Sequence, residues 1–288
     1  DPATLADINK SANGTGPFRL VSFTPDQEVV VERNPDYYGA KPSLSKVQVT
    51  KYADTTSAQT ALSSDAIDMM WGVPYDQMEG TGAADYTAVV PVDPAQAAVF
   101  EIDNMSPPFS DVRARQALSY ATDREAIQAA AYGGLGVVNS GSTLISPNSP
   151  YASKSVTDCS YDLDKAKALF AEAGVTDGDK LTCWATAGAY PEFATTCQIL
   201  QSSLAKIGIK LVIETNETST WAEKFYPAGQ KYPATIVTDL VSREAPPLPF
   251  VMNYFGKDGW SEGNWPGTPA FEEAKKVIQR STDDAELK

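Results

Sequence analysis

The sequence has 288 residues, which is long enough for two domains. Its content of 42% hydrophobic and 21% charged residues is ordinary for a globular protein. Its 37 acidic and 23 basic residues, with no histidine, give a formal net charge of −14. Such a surface repels nucleic-acid phosphates and anionic lipid, so we expect no nucleic-acid partner. The sequence also lacks a run of about 18 apolar residues, so no transmembrane helix is predicted.

The first quarter of the chain is predicted to form a hairpin followed by a βαβ unit. The hairpin strands are rich in β-branched residues and flank a turn that contains Pro25. The βαβ unit combines an alternating strand, a short helix and an apolar segment that predicts a buried parallel strand. These five elements are predicted at residues 16–23, 28–33, 46–52, 55–64 and 66–71.

Three residues stand at and beyond the end of the last of these strands: Trp71, Gly72 and Tyr75. Ligands of open α/β sheets bind outside the carboxyl ends of the strands, so we predict that these residues line a ligand site. A half-buried aromatic residue with a purely structural role is the alternative for Trp71.

Two strands are predicted at residues 86–92 and 97–102. The segment that follows, from Asp103 to Arg124, carries the clearest local structural signals in the sequence. Pro107 and Pro108 prevent a helix from beginning before them. Ser110 is the predicted N-cap of a first helix, with Asp111 in its first turn. Asp123 is predicted to cap a second helix, which Gly133 and Gly134 end.

A change of composition marks the predicted domain boundary. Residues 139–150 are rich in serine, proline, glycine and asparagine, which indicates a long loop or crossing segment. We therefore divide the chain into residues 1–140 and 141–288.

The second half is predicted to be a βαβαβ run with right-handed crossovers. A helix at residues 162–173 precedes it, and a helix at residues 271–280 follows it. The run itself comprises strands and helices at residues 180–186, 191–207, 209–214, 219–226 and 234–240.

Three loops follow the strands of this run, at residues 187–190, 215–217 and 241–244. The carboxyl ends of parallel strands meet at one edge of a sheet, so these loops should face the same crevice as Trp71. The residues predicted to contact a ligand there are Gly188, Tyr190, Ser242, Arg243 and Glu244.

Three cysteines lie in the second half of the chain: Cys159, Cys183 and Cys197. Their spacing fits no zinc motif, and the sequence offers no histidine ligand, so no metal site is predicted. One disulfide with one free thiol would suit an exported protein, and any of the three pairings is possible. Three buried thiols are the equal alternative.

No catalytic constellation is recognisable in the sequence. The lack of histidine removes the Ser-His and Cys-His dyads and the commonest general base. The paired acids all fall at helix starts, where capping explains them. The Gly-rich run at residues 133–136 ends a helix, whereas phosphate loops precede one. We therefore predict neither an enzyme nor a cofactor.

Four blocks of the sequence resemble, in the same order, the family 5 extracytoplasmic solute-binding proteins of bacterial ABC importers, which include peptide, dipeptide and nickel receptors. The longest is the Asp103 to Arg124 segment, DNMSPPFSDVRARQALSYATDR. The others are GTGPF with ERNPDYY at residues 14–18 and 32–38, AIDMMWGVP at 66–74, and YDLDKAKALFAEAG at 161–174.

This resemblance implies an α/β fold of the periplasmic-binding-protein type, class II, with mixed sheets, flanking helices and two lobes. The family places well over a hundred residues before the block that lies here at residue 14, so we expect an internal or C-terminal fragment without the amino-terminal lobe and the last return strands. Residues 1–140 would be part of domain I and residues 141–288 a truncated domain III.

The implied function is capture of a peptide-like or other small polar solute in a cleft between lobes that close by hinge motion, without a chemical step. The protein would be a monomer that delivers its ligand to membrane permease subunits, at the periplasmic or extracellular face of the cell membrane. A signal peptide or lipid anchor would lie outside this fragment, and the fragment alone should bind weakly.

Arg243 bears on the kind of ligand. Peptide-binding relatives carry an aspartate at the equivalent position, and it pairs with the ligand's α-amine; here the equivalent position is Arg243, or Glu244 if the register slips by one. An arginine would favour a carboxylate or phosphate over an ammonium group. The alternative is a surface arginine paired with an acid.

Two other functions stay open at this point. One is a hydrolase that uses carboxylates, which turnover dependent on an acid in residues 187–244 would support. The other is a sensor or chaperone-like peptide binder on the same fold, with no role in transport.

Overall fold

The chain divides into two compact units, Asp1–Val73 and Pro74–Lys288, and each is described by itself. In the computed structural model, the described residues are 14–25, 27–73, 75, 96–141, 143–149, 151–153, 155–187, 190, 192–225, 231–232, 235–242, 248–265, 267–281 and 283. The predicted strand at residues 86–92 lies outside them.

The first unit contains an antiparallel sheet in the order β1-β2-β3, and the predicted hairpin is confirmed. Its strands are β1 (Phe18–Thr24), β2 (Glu28–Arg33) and β3 (Lys46–Thr50). Helix α1 (Thr55–Ser63) follows, and Asp54 caps it by accepting a hydrogen bond from the Ser57 backbone N–H. The backbone of Asp54 is extended, which is the conformation that an N-cap requires.

The predicted parallel strand at residues 66–71 is wrong. This segment follows α1 as irregular backbone, and Met69 and Trp71 are 74% and 92% exposed. An apolar segment forms a strand only where a neighbouring strand can hydrogen-bond to its backbone. Among the described residues of this unit, the only strand beside β3 is β2, so residues 66–71 pair with neither. The predicted βαβ unit therefore ends after its helix.

The second unit is built on a four-stranded mixed sheet in the order β4-β7-β5-β6. The strands are β4 (Gln96–Ile102), β5 (Lys180–Ala187), β6 (Lys210–Glu217) and β7 (Ile236–Ser242). β5 runs parallel to both β6 and β7, as the βαβαβ pattern predicts, whereas β4 runs antiparallel to β7. The α/β class with mixed sheets is thus confirmed.

Seven helices of the second unit lie within the described residues: α2 (Val112–Ala121), α3 (Arg124–Ala131), α4 (Leu163–Glu172), α5 (Glu192–Ala205), α6 (Thr218–Phe225), α7 (Leu248–Tyr254) and α8 (Pro269–Arg280). The core is formed by α2, α4, α5 and α6 together with the sheet, and it includes Phe170, Leu200, Leu204 and Trp221, all at most 1% exposed. Helix α7 was not predicted from the sequence. Its second residue is Pro249, and proline is tolerated in the first turn of a helix.

The caps of α2 and α3 agree with the sequence-based predictions, with one correction. The N-cap of α2 is Asp111 and not Ser110, because the Asp111 carboxylate accepts a hydrogen bond from the Arg113 backbone N–H. Asp123 caps α3 as predicted, and Gly133 and Gly134 adopt positive φ after it. These caps supply partners for backbone N–H groups that a helix start leaves without one.

Arg124 ties this joint to the second half of the chain. Its side chain donates to the Ser119 carbonyl (3.0 Å), the Ser119 hydroxyl (2.8 Å) and the Cys159 carbonyl (3.2 Å). Burial lowers the pKa of Arg124, because desolvation disfavours its charge.

The cysteines form one disulfide and leave one thiol free. Cys183 of β5 is bonded to Cys197 of α5, and both are fully buried. Cys159 is free and buried. The first alternative drawn from the sequence is therefore the one realised, and the bond fastens α5 to the sheet.

The domain division at residues 140 and 141 stays a prediction. It lies inside the second compact unit, where β4 pairs with β7 and α2 packs on α4. None of the helices among the described residues has the length and apolar character needed to cross a membrane.

Candidate ligand-binding site

The parallel strands of the second sheet end at one edge, which we call the carboxyl edge. It is formed by the ends of β5, β6 and β7 at Ala187, Glu217 and Ser242, together with the start of β4 at Gln96. Ala187 pairs with Glu217 and Gln96 pairs with Ser242. Because Trp184 pairs with Val237, β7 runs about two residues beyond the end of β5. This is the geometry in which α/β proteins bind ligands.

Tyr190 lies three residues beyond the end of β5, and its ring is stacked on Phe193 of α5. The ring centroids are 5.0 Å apart with an interplanar angle of 17°. Phe193 is only 1% exposed, whereas Tyr190 is partly exposed. A buried ring therefore holds Tyr190 in a fixed orientation while part of it faces solvent, which is what an aromatic ligand wall requires.

Threonine hydroxyl groups form hydrogen bonds near the ends of the strands at this edge. The hydroxyls of Thr186 in β5 and Thr218 in α6 are 2.9 Å apart, and Thr186 is fully buried. Thr238 of β7 donates to the Trp184 carbonyl of β5 at 3.0 Å. Strands β5 and β7 are thus tied by side chains as well as by the ladder. The predicted loop at residues 215–217 is instead the end of β6, with α6 beginning directly after it.

The three residues predicted after the first apolar segment belong to different units. Trp71 and Gly72 belong to the first unit, where Trp71 is almost fully exposed and Gly72 has a φ of 75°. Tyr75 belongs to the second unit, and its ring packs on Tyr132 with a centroid distance of 5.3 Å. Burial, and then the nearby Glu192, raises the pKa of Tyr75. Tyr75 is therefore a packed residue of the second unit, close to the first residue of α5.

Three predicted contact residues, Gly188, Arg243 and Glu244, lie outside the described residues. The backbone of Ser242 is the last of β7 and pairs with Gln96. The sequence-based choice between Arg243 and Glu244 stays open.

The sequence analysis did not predict a cluster of two acids and two tyrosines, in which Asp239 is buried and Glu101, Tyr232 and Tyr254 are half-buried. Glu101 of β4 accepts hydrogen bonds from the hydroxyls of Tyr232 and Tyr254, one on each carboxylate oxygen. The Tyr254 hydroxyl also lies 3.4 Å from Asp239 of β7. A signal was present: Glu101 and Asp239 are single acids within apolar strands, AAVFEI and IVTDLV, and a charge there needs a partner from elsewhere in the fold.

The environment of this cluster shifts both carboxyl groups in the same direction. Burial raises the pKa of Glu101 to about 7, although the two tyrosine hydrogen bonds lower it and Asp239 adds repulsion. Burial likewise raises the pKa of Asp239 to about 6. Burial, followed by the charge of Glu101, raises the pKa of Tyr232 and of Tyr254. Both tyrosines therefore stay protonated donors, while the acids are poised near neutrality.

Two cavities adjoin this cluster at the end of the sheet opposite the carboxyl edge. One, of about 280 Å³, lies by the amino ends of β5 and β7 and is lined by Asp103, Ser106, Pro107, Phe109, Thr182, Tyr232 and Thr235. The other, of about 140 Å³, lies along β4 and includes Glu101 and Asn104 in its lining. No group of three or more histidine, cysteine, aspartate or glutamate side chains among the described residues could hold a metal ion.

Solved structures share this architecture. DppA of Helicobacter pylori, in complex with the peptide STSA, superimposes with a TM-score of 0.79 at 24% identity, over 95% of this chain and 53% of that one. AgaA of A. tumefaciens, in complex with agropinic acid, gives a TM-score of 0.78 at 25% identity, over 99% of this chain and 59% of that one. The fold is that of a periplasmic binding protein.

The chain belongs to the bacterial extracellular solute-binding proteins of family 5. The sequence model of that family, described as "Bacterial extracellular solute-binding proteins, family 5 Middle", matches residues 1–262. The membership predicted from the four sequence blocks is thus confirmed.

Curated relatives include two proteins of Escherichia coli. The dipeptide-binding protein is 26% identical over 279 residues, which are 94% of this chain and 51% of that protein. The nickel-binding periplasmic protein is 30% identical over 174 residues, which are 58% of this chain and 32% of that protein. The chain spans about half the length or less of the curated relatives it matches.

Proposed function

We propose that the protein is the substrate-binding component of an ABC transporter, which captures a peptide-like or other small polar solute and delivers it to a membrane permease. Family membership and the periplasmic-binding-protein fold support the transport role. The observation that carries the proposal is the carboxyl edge, where three neighbouring parallel strands end and where the ring of Tyr190 is stacked on Phe193.

The residues proposed to contact the solute are those predicted from the sequence. Tyr190 has the strongest support, because a buried ring fixes its orientation. Ser242 is the last residue of β7, and Gly188, Arg243 and Glu244 follow β5 and β7 in the sequence. Trp71, Gly72 and Tyr75 are proposed on their sequence position alone.

The protein binds its solute without a reaction, needs no cofactor and acts as a monomer outside the cytoplasm, in the periplasm or on the extracellular face of the membrane. The absence of histidine from the sequence supports binding over catalysis, because the commonest general base is missing.

Calorimetric titration of the complete protein with separate pools of peptides, opines, sugars and metal chelates tests the proposal. We expect one pool to give saturable heat with a single class of site. Silence from every pool contradicts a solute-binding role, and conversion of a pool component during the titration contradicts binding without chemistry.

A further inference from the structure

The disulfide between Cys183 and Cys197 encloses the part of the chain that carries Tyr190. Its two cysteines have a sequence separation of 14, and the residues between them include the end of β5, Tyr190 and the start of α5. Cys183 pairs with Ile213 of β6 and with Ile236 of β7, so one end of the crosslink lies in the middle of the sheet. The crosslink therefore ties α5 to a strand that has a parallel neighbour on each side.

The other end of the crosslink lies one helical turn from the ring that supports Tyr190. Phe193 and Cys197 both belong to α5, and their spacing places them on the same face of the helix. Both side chains are buried, with 1% and 0% of their surface exposed. Phe193 also contacts Trp221 of α6, with ring centroids 6.2 Å apart. The position of Phe193 thus depends on how closely α5 is held on the sheet.

Phe193 in turn determines the position of Tyr190 through two contacts. The rings are stacked with centroids 5.0 Å apart, and the Phe193 backbone N–H donates to the Tyr190 carbonyl at 3.1 Å. Because the Tyr190 side chain is partly exposed, these contacts matter for its orientation. A side chain that becomes ordered only when a ligand binds weakens the affinity, since its lost freedom opposes binding. A support that orders the ring beforehand removes this cost.

We propose that the disulfide between Cys183 and Cys197 is a positioning element of the solute site. It holds Phe193 and, through Phe193, keeps Tyr190 in the orientation that a ligand meets at the carboxyl edge. This inference rests on the proposed function and gives the disulfide a role in affinity as well as in stability. A bond that only stabilised the fold would act through the entropy of the unfolded chain and would leave the affinity of the folded protein unchanged.

Affinity measurements on the complete, folded protein separate these two roles. The double variant Cys183→Ala/Cys197→Ala removes the bond, and Cys159→Ala, which removes the free thiol and keeps the bond, is the matched control. The probe is the pool of peptides, opines, sugars or metal chelates that gives saturable heat with the wild type. We expect it to bind about fivefold more weakly to the double variant, since ordering one side chain costs about that factor in affinity. Cys159→Ala should bind as the wild type does.

Folding of each variant is checked by circular dichroism at the temperature of the titration. If the alanine pair does not fold, Cys183→Val combined with Cys197→Ala takes its place, because valine fills more of the space that the sulfur atoms leave.

A double-mutant cycle with Tyr190→Ala shows whether the disulfide acts through Tyr190. Once the ring is absent, loss of the disulfide should weaken binding no further, because the two changes remove the same interaction. Additive losses would overturn the proposal, and so would equal affinities of the wild type and the double cysteine variant.

Hydrogen exchange without any solute gives a readout that does not depend on the proposed function. The Phe193 amide reports the turn at Tyr190, and the Ala166 amide, which donates to the Asp162 carbonyl at the start of α4, is the internal reference. In the double cysteine variant, exchange at Phe193 relative to Ala166 should be about tenfold faster, because local opening near Tyr190 becomes easier. An unchanged ratio would overturn the positioning role. Lack of heat from every pool with the wild type would contradict the proposed function instead, and the exchange ratio would still decide whether the disulfide orders Tyr190.

Discussion

Tyr254 of α7 donates a hydrogen bond to Glu101 of β4, although 153 residues separate them in the sequence. The bond joins the edge strand of the described sheet to the helix that follows its central neighbour β7. A carboxyl group held in this way makes the stability of the fold sensitive to pH.

Exchange of Glu101 for glutamine should reduce the pH dependence of stability. The pKa values of Glu101 and Asp239 are raised in the folded state, to about 7 and about 6, so the folded state binds more protons than the unfolded state between about pH 4 and 7. The stabilising contribution is therefore complete below the unfolded pKa values and is lost as the pH rises through the folded ones. For Glu101 the complete loss is on the order of 3 kcal/mol.

Urea unfolding at pH 5 and pH 8 measures this effect. Wild type should lose more stability over this range than Glu101→Gln. Glu273→Gln changes an exposed acid of α8 that pairs with Lys276, and it should behave as wild type. An identical loss in wild type and Glu101→Gln would contradict the assignment of the pH dependence to Glu101.

Exchange of Tyr190 for alanine should weaken solute binding about tenfold with a small loss of stability. The change removes a ring that is stacked on Phe193 and partly exposed, so it costs an aromatic pair worth about 1 kcal/mol but leaves the buried core intact. Tyr190→Phe keeps the stack and is the control. Calorimetric titration with the solute found in the pool screen gives the affinities, and an unchanged affinity in Tyr190→Ala would exclude Tyr190 from the site.

Loss of the disulfide between Cys183 and Cys197 should destabilise the second unit by roughly 3 kcal/mol. The bond closes a loop with a sequence separation of 14, and its removal returns conformational entropy to the unfolded chain. Thermal unfolding with and without reductant measures the effect. Cys159→Ala removes the free thiol and should keep the full sensitivity to reductant, whereas insensitivity of wild type would contradict the pairing.

Exchange of Arg124 for lysine should destabilise the protein by about 2 kcal/mol. A lysine cannot reproduce the fork that reaches Ser119 and Cys159 together, so a buried carbonyl loses its donor. Arg113→Lys is the matched control, because Arg113 pairs with Asp111 at the surface and such pairs contribute little. Urea unfolding compares the two variants; equal losses would show that the contacts of Arg124 are not the cause.

Local signals in the sequence were dependable where neighbouring residues decide the structure. Asp123 caps its helix as predicted, and Gly133 and Gly134 adopt the positive φ expected after a helix. Each of these outcomes depends on contacts within about four residues. The wrong strand at residues 66–71 depended instead on a distant partner, which composition cannot supply.

Some features of the candidate site could likewise be predicted from local signals, and others could not. Parallel strand ends and an aromatic residue after β5 could be predicted, because the βαβαβ pattern determines where strands end. The stack of Tyr190 on Phe193 could not be predicted with them, since it depends on how α5 packs on the sheet. The contact residues Gly188, Arg243 and Glu244 remain predictions.

The sequence by itself determined the family, the α/β class, most element positions and the lack of a histidine-based site. The tertiary structure alone decided the strand order β4-β7-β5-β6, the choice of Cys183 and Cys197 for the disulfide, and the meeting of Glu101 with Tyr232, Tyr254 and Asp239. The physical reason is the range of the interactions. Caps, turns and periodicity act between neighbours in the chain, whereas strand order, disulfide pairing and buried acid clusters join residues that only the folded packing brings together.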